Sequence, residues 1–277
     1  MIMHYLATVA ALAAVPSLAS APLRIMPLGD SLTVFDCRLN AYITADDRTI
    51  FWPLNETPPI SIYPKGTFFV VSQGGYRGYL AQMLDQTPDL AWSYVGRQFT
   101  CGSHEGYAGT TISWLTENVV TDAVKAAQPD VILLLAGTND FFWPPPRGSR
   151  DPNVVAQRLR ALLNSTFASS PSVTLLLSEV TPILEERCKY YHTARWHPGD
   201  CPLDMQSNIV AYNKMLPSIA QEHRARGNDV QLVRRPAFDD SDFWIWGIHF
   251  NTSGFKKIAS AWHGAIVRAA KRHAVQP

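Results

Sequence analysis

The feature of this sequence that most constrains its fold is an uninterrupted apolar run in the middle of the chain. Residues 131–136 read Val-Ile-Leu-Leu-Leu-Ala, with no polar residue to mark a solvent-facing side. Such a strand is typical of a parallel sheet that is covered by helices on both faces. The run stops at Gly137-Thr138-Asn139-Asp140, which we expect to form a polar turn at the carboxyl end of the strand. The chain is therefore predicted to be built around a buried parallel strand.

Strand-like and helix-like segments alternate along the rest of the chain. Further buried strands are predicted at Leu23 to Leu28, Ala91 to Gly96, Ser172 to Val180 and Asp229 to Val233. Helices are predicted to begin near Gly74 and Thr110, and to cover Val154 to Leu163, Ile209 to Arg224 and Ser253 to Lys271. This alternation predicts an α/β fold, namely a three-layer α/β/α sandwich on a mainly parallel sheet.

Three stretches do not fit the alternation. Phe35 to Ser72 holds four prolines and many aromatic residues, and we interpret it as an irregular lid or binding loop. Glu185 to Asp204 is predicted to be a second insertion, and Cys101 to Gly109 a loop. The expected architecture is thus a single domain with insertions at about 35–72 and 185–204.

The first 19 residues are apolar and contain no Asp, Glu, Lys or Arg. Small residues at Ser17 and Ala19 fit the −3 and −1 positions of a cleavage site, so the segment is predicted to be a secretory signal peptide. A membrane anchor is the alternative, but the apolar stretch is short for a bilayer. We expect a secreted, extracellular protein whose single domain covers residues 20–277 and which has no membrane span.

The four cysteines fit an oxidising compartment, because their number is even and none lies in a Cys-x-x-Cys metal motif. Of the three pairings we favour Cys188–Cys201, which closes one loop, and Cys37–Cys101 near the candidate site. Sequons for N-glycosylation begin at Asn55, Asn164 and Asn251. The one at Asn55 is weakened by the proline that follows it. We therefore predict a disulfide-bonded glycoprotein.

The composition of the 277-residue chain narrows the classes of partner. The net charge is +1 and only 17% of residues are charged, so no basic excess indicates nucleic-acid binding. No phosphate-binding loop, dinucleotide motif or metal-ligand cluster is present in the sequence, and we expect neither a cofactor nor a metal. We expect a monomer.

A candidate nucleophile follows the first predicted strand. Gly29-Asp30-Ser31-Leu32 places a serine hydroxyl in a turn at the end of the sheet where ligands bind in open α/β folds. By itself a Gly-Asp-Ser tripeptide is most often an ordinary turn. Asp30 is expected to brace this turn rather than to act on a substrate.

Three further polar positions complete the residue types that ester hydrolysis needs. Asn139 follows the central strand, Gly109 precedes a predicted helix, and His249 precedes the last helix. A serine oxygen can attack a carbonyl while a histidine takes its proton. The oxyanion that forms needs donors, which a backbone N–H at a glycine turn and an asparagine amide can supply.

The order of these residues resembles the SGNH (GDSL) hydrolase superfamily. The matching blocks are Gly29-Asp30-Ser31-Leu32, Gly109, Gly137-Thr138-Asn139-Asp140 and His249. The similarity is strongest to the carbohydrate esterase branch that includes acetyl xylan esterases. It rests there on Gly75-Tyr76-Arg77, on the segment 104–109 and on Tyr212-Asn213. It covers most of residues 22–267 outside the two insertions.

The resemblance implies a role for each matching residue. Ser31 is the nucleophile and His249 the general base. The oxyanion hole consists of the Ser31 N–H, the Gly109 N–H and the Asn139 side chain. Of the neighbouring polar residues, Asp140 is expected to brace its turn. His104 and Glu105 are expected to form loop hydrogen bonds, not a second catalytic pair.

The block around His249 departs from the family pattern. The family usually has an Asp three residues before the His and a Pro after it, whereas this chain has Trp246 and Phe250. Three outcomes are open. Asp242, or its neighbours Asp239 and Asp240, reaches back to the imidazole; a backbone carbonyl holds the ring in a Ser–His dyad; or the protein has reduced or no activity.

The function that this resemblance implies is a secreted serine esterase that hydrolyses short acyl esters, chiefly acetyl esters, of carbohydrate. The expected partner is an acylated carbohydrate or another small ester. A lipase or acyltransferase of the same superfamily is an alternative. A carbohydrate-binding protein on the same fold with weak or no catalysis is another, because Trp246 stands where the family has its Asp.

Overall fold

The structure is a computed structural model that describes residues 21–34, 75–100, 102–186, 188, 204–243 and 247–273, and the backbone at 40–43, 49–52 and 68–71. Several predictions fall outside these residues. They concern the signal peptide, Cys201 as the partner proposed for Cys188, the pair Cys37–Cys101, most of the second insertion and Trp246. Cys188 itself is buried. The disulfide pairing therefore stays a prediction.

The described strands form one large sheet and one small one. In chain order they are β1 (Leu23–Gly29), β2 (Asn40–Ile43), β3 (Thr49–Trp52), β4 (Phe68–Val71), β5 (Trp92–Tyr94), β6 (Gln98–Phe99), β7 (Ser103–Gly106), β8 (Val131–Leu135), β9 (Thr174–Ser178) and β10 (Val230–Val233). The large sheet has the order β10-β9-β8-β1-β7-β6, and β5 also pairs with β1. The strands from β10 to β7 run parallel, while β6 is antiparallel to β7.

Helices cover both faces of the large sheet. They are α1 (Ser31–Val34), α2 (Gly75–Asp85), α3 (Ile112–Leu115), a π-helical turn (Thr116–Val120), α4 (Thr121–Ala127), α5 (Thr138–Phe142), α6 (Pro152–Ser169), α7 (Met205–Arg224), a 3₁₀ turn (Asp240–Asp242) and α8 (Thr252–His273). In the part of the chain that the structure describes, none of them has the length and apolar character needed to cross a bilayer.

The central strands are buried because each face carries its own apolar layer. Every residue of β8 and of β9 is buried, as predicted for both strands. On one face the strands contact α2 and α8, whose buried stripes include Leu80, Ile258 and Trp262. On the other face the core joins the strands to α3, α4, α6 and α7. The predicted three-layer α/β/α sandwich is thus confirmed.

The prediction that residues 35–72 are irregular was wrong in part. Three short strands lie there and pair antiparallel in the order β3-β2-β4. Their sequences are rich in aromatic and β-branched residues, which favour strands. The four prolines all fall between β3 and β4, where they do not interrupt the pairing.

The segment 101–109 also differs from the loop that was predicted. Ser103–Gly106 forms β7, which pairs with the end of β1. The strand was missed because His104 and Glu105 are polar yet buried. His104 lies 2.7 Å from the Thr100 hydroxyl, and Glu105 pairs with Arg97 at 3.1 Å, so specific partners replace an apolar pattern.

Candidate active site

Parallel pairing brings three of the predicted blocks to one edge of the sheet. Gly29, the last residue of β1, pairs with Leu135 at the end of β8 and with Gly106 at the end of β7. Ser31 follows β1 by two residues, and Asn139 follows β8 by four. The chain after β7 leads directly to Gly109. These residues therefore leave the sheet at the same level.

The serine turn is tight because β1 and β8 approach closely. A Cβ on Gly29 would collide with the carbonyl oxygen of Leu135 and press on the Thr33 hydroxyl. Glycine at this position lets the chain turn into α1 at once. Asp30 braces the turn, since its Oδ1 accepts a hydrogen bond of 3.1 Å from the N–H of Leu32.

A buried arginine holds the residues that follow Ser31. The guanidinium of Arg77 donates from Nε to the carbonyl of Thr33 and from Nη1 to the carbonyl of Thr100, both at 2.6 Å. A buried charge with several hydrogen bonds of this kind fixes the backbone on either side of it. The Gly75-Tyr76-Arg77 block of the sequence thus serves to position α1.

His249 contacts Ser31 directly. Its Nε2 lies 2.9 Å from the Ser31 Oγ, although the two residues are 218 positions apart. Burial lowers the pKa of His249 from its ordinary 6.5 to about 4. The imidazole is therefore neutral at neutral pH, as an acceptor for a serine proton must be.

The segment that carries His249 is fixed by aromatic packing and by a helix cap. Phe250, where the family usually has Pro, is buried with ring centroids 4.4 Å from Phe238 and 4.7 Å from Phe243. Asn251 caps α8, because its Oδ1 accepts from the N–H of Ser253 at 2.9 Å. The two residues that follow His249 are thus held in place, Phe250 by aromatic packing and Asn251 by the helix cap.

Asp242, the candidate substitute acid, has other partners. Its buried carboxylate accepts from the Ser253 hydroxyl at 2.7 Å, from Lys257 at 2.6 Å and from the N–H of Asp239 at 2.9 Å. These groups, rather than the imidazole, are its hydrogen-bond partners within the described residues. Its backbone carbonyl accepts from the N–H of Asn251 at 2.9 Å. Asp242 therefore stabilises the backbone of the segment that follows His249.

Gly109 has a backbone conformation that favours glycine. Its φ is +73°, in the left-handed region. Its carbonyl oxygen accepts two hydrogen bonds of 2.8 Å, one from the indole of Trp143 and one from the guanidinium of Arg147. These bonds fix the glycine on the carbonyl side.

Asn139 offers an unused donor. It lies in the first turn of α5, and its side-chain Nδ2 is buried without a hydrogen-bond partner among the described residues. Buried amides nearly always have partners, so such a donor calls for an explanation. A ligand that accepts a hydrogen bond at this position would satisfy it.

Asp140 joins the turn of Asn139 to the segment of Gly109. Its Oδ2 accepts from the N–H of Ile112 at 2.9 Å, and its Oδ1 accepts from Arg158 at 2.8 Å. Burial raises the pKa of the nearby Asp30 to about 7, and the charge of Asp140 adds to this. Both aspartates are buried, and each accepts a hydrogen bond from a backbone N–H near the site.

The sequence patterns do not predict Trp143, Arg147 or Arg158 as residues of the site. Trp143 and Arg147 reach Gly109 from 34 and 38 positions away, and Arg158 reaches Asp140 from α6. No periodic or local motif marks them. The one available signal is their position shortly after the Gly137–Asp140 block.

Comparison with known proteins agrees with this architecture. The chain is 26% identical over 232 residues to a multidomain esterase of Ruminococcus flavefaciens, covering 73% of this chain and 28% of the length of that relative. It is similar to a family 3 carbohydrate esterase from Clostridium thermocellum, with 25% identity, a TM-score of 0.60 and coverage of 90% and 99% of the two chains. A family 3 carbohydrate esterase from Talaromyces cellulolyticus shares the fold at 17% identity, with a TM-score of 0.63 and the same coverage.

The family follows from a match along most of the chain. The sequence profile of the GDSL-like lipase/acylhydrolase family matches residues 28–257, which include Ser31, Gly109, Asn139 and His249 in order. The chain therefore belongs to the GDSL-like lipase/acylhydrolase family of hydrolases.

Proposed function

We propose that this hydrolase is a secreted serine esterase that removes short acyl groups, chiefly acetyl, from carbohydrate. The observation that carries the proposal is the 2.9 Å contact between the Ser31 Oγ and the His249 Nε2. The unpartnered amide of Asn139 supports it, as does the similarity to carbohydrate esterases. The apolar leader and the even number of cysteines support secretion.

In the proposed mechanism Ser31 forms a covalent acyl-enzyme. Its Oγ bonds to the ester carbonyl carbon while His249 Nε2 takes the hydroxyl proton. The oxyanion accepts hydrogen bonds from the N–H groups of Ser31 and Gly109 and from the Asn139 amide. As the intermediate collapses, the sugar oxygen leaves with the proton from His249. Water then attacks the carbonyl carbon of the acyl-enzyme and gives a proton to His249 Nε2. The Ser31 Oγ leaves with that proton, and acetate is released.

We expect activity to persist in mildly acidic solution. The base must be neutral, and burial lowers the pKa of His249 to about 4, so protonation abolishes its function only as the pH approaches that value. The acidic limb of kcat/KM for an aryl acetate should have its midpoint near pH 4. A midpoint at or above the ordinary 6.5 would contradict a buried, neutral base.

The free energy of unfolding should also depend on the protonation of His249. Because the pKa of His249 is lower in the folded than in the unfolded state, the unfolded chain binds the proton first as the pH falls. The stability that comes with the neutral ring is present above about pH 6.5 and is lost towards pH 4. For the His249→Gln variant, the free energy of unfolding measured by chemical denaturation should lack this dependence on pH.

We expect the enzyme to prefer short acyl chains. The surface beside Gly109 carries the guanidinium of Arg147, which is a poor neighbour for a long alkyl chain. From acetate to octanoate esters of 4-nitrophenol, kcat/KM should fall by at least about tenfold. In a lipase each buried methylene would contribute about 0.8 kcal/mol, so a rise along the series would favour that alternative. Release of acetate from acetylated xylan tests the carbohydrate half of the proposal.

A further inference from the structure

Arg147 differs from three other basic side chains around the site. Those three have carboxylate partners, namely Arg97 with Glu105 at 3.1 Å, Arg158 with Asp140 at 2.8 Å and Lys257 with Asp242 at 2.6 Å. None of the ion pairs within the described ranges includes Arg147. Its positive charge is exposed to solvent beside Gly109.

The guanidinium of Arg147 is held in place despite its exposure. Its Cζ lies 4.2 Å from the ring centroid of Trp143, within range of a cation–π contact. Its Nη2 donates to the carbonyl of Gly109 at 2.8 Å. Its own backbone carbonyl accepts from Arg158 at 3.1 Å, and the N–H of Gly148 bonds to the carbonyl of Pro144 at 3.0 Å. Because the guanidinium is already fixed, a ligand that binds it would not have to immobilise this side chain.

This arrangement suits a carboxylate better than a neutral group. A guanidinium has five N–H donors in a planar fork, and the contact with Gly109 uses one of the two N–H groups of Nη2. The other N–H of Nη2, together with an N–H of Nε or Nη1, matches the two oxygens of a carboxylate, in a bond stronger than one to a hydroxyl. Because Gly109 belongs to the proposed oxyanion hole, such a carboxylate would lie close to the ester that is cleaved.

We propose that Arg147 is a specificity-determining residue that binds a carboxylate of the substrate. The preferred substrate is then an acetylated glycan that carries uronic acid residues near the acetylated sugar. This inference rests on the proposed esterase function, but it concerns the choice among esters rather than the chemistry of cleavage.

The test compares two acetylated xylo-oligosaccharides that differ only in a glucuronic acid branch. For the wild type, kcat/KM should be at least about tenfold higher for the acidic oligosaccharide, mainly through a lower KM. Arg147→Gln should reduce the ratio of the two values to about one. Arg147→Lys, which keeps the charge but not the fork, should give an intermediate ratio. Added salt should lower the ratio of the wild type.

The matched control is Arg150→Gln, which removes the same charge from an exposed position three residues away. It should leave the ratio as in the wild type. An equal ratio for wild type and Arg147→Gln, with both proteins active, would overturn this inference alone. An equal loss of kcat on both oligosaccharides in Arg147→Gln would make Arg147 a positioning residue for Gly109 and would also overturn it. Failure of the wild type to release acetate from either one would refute the proposed function itself.

Discussion

Replacement of Ser31 by alanine is expected to lower kcat for aryl acetate hydrolysis by about 10⁴-fold or more. The reason is that the variant keeps the fold and the binding surface but loses the oxygen that lies 2.9 Å from His249. His249→Ala should have an effect of similar size. Since the two residues act as one unit, the double variant should be hardly slower than either single variant. Steady-state rates on purified, folded proteins measure this.

The control for this prediction is Ser172→Ala, at an exposed serine in the turn before β9. Its rate should match that of the wild type. If Ser31→Ala and Ser172→Ala hydrolyse the ester equally well, Ser31 is not the nucleophile. If the wild type binds acetylated glycans without turnover and His249→Ala binds them as well, the chain is a carbohydrate-binding relative rather than an esterase.

The second large effect is expected at Asn139. Truncation to alanine should lower kcat by about 10²- to 10³-fold with little change in KM, because an oxyanion donor acts mainly in the transition state. The same change removes a buried Nδ2 that has no partner among the described residues. The free energy of unfolding should therefore not decrease, and a gain of up to about 1 kcal/mol is expected from relief of the unsatisfied donor.

The values of kcat and of the free energy of unfolding together distinguish two roles for Asn139. A structural asparagine would lose stability along with activity, whereas an oxyanion donor loses activity alone. Asn118→Ala is the control, because this exposed amide in the π-helical turn has the carbonyl of Trp114, at 2.9 Å, as its one partner among the described residues. It should change neither kcat nor stability by much. An unchanged kcat in Asn139→Ala would exclude its amide from the oxyanion hole.

The parts of the fold that could be predicted from the sequence are those whose burial is apolar. The run 131–136 gives β8, and the stripe with Ile258 and Trp262 gives α8, because hydrophobic periodicity reflects burial directly. β7 escaped prediction because His104 and Glu105 are buried through hydrogen bonds and an ion pair. Burial through hydrogen bonds and ion pairs produces no hydrophobic periodicity in the sequence.

The candidate site divides in the same way. Ser31 and Asn139 follow apolar strands, and a parallel sheet gathers the carboxyl ends of its strands, so their proximity could be predicted. The partners of Asp242 could not, because they depend on the capping of a 3₁₀ turn and on Lys257 one helix away. The contact of Arg147 with Gly109 likewise needed coordinates. Residues that lie in a local motif could be predicted from the sequence, whereas contacts between distant segments could not.

The carboxylate of Asp140 has a consequence for changes in the loops around the site. It links the N–H of Ile112, just after Gly109, to the turn of Asn139, and Arg158 holds it from α6. The two groups of the proposed oxyanion hole, at Gly109 and Asn139, are thus joined through one buried carboxylate rather than through the loops around them. A change in the length of those loops is therefore expected to leave the spacing of the two groups unchanged. One buried side chain in this way makes the geometry of the proposed oxyanion hole independent of the surrounding loops.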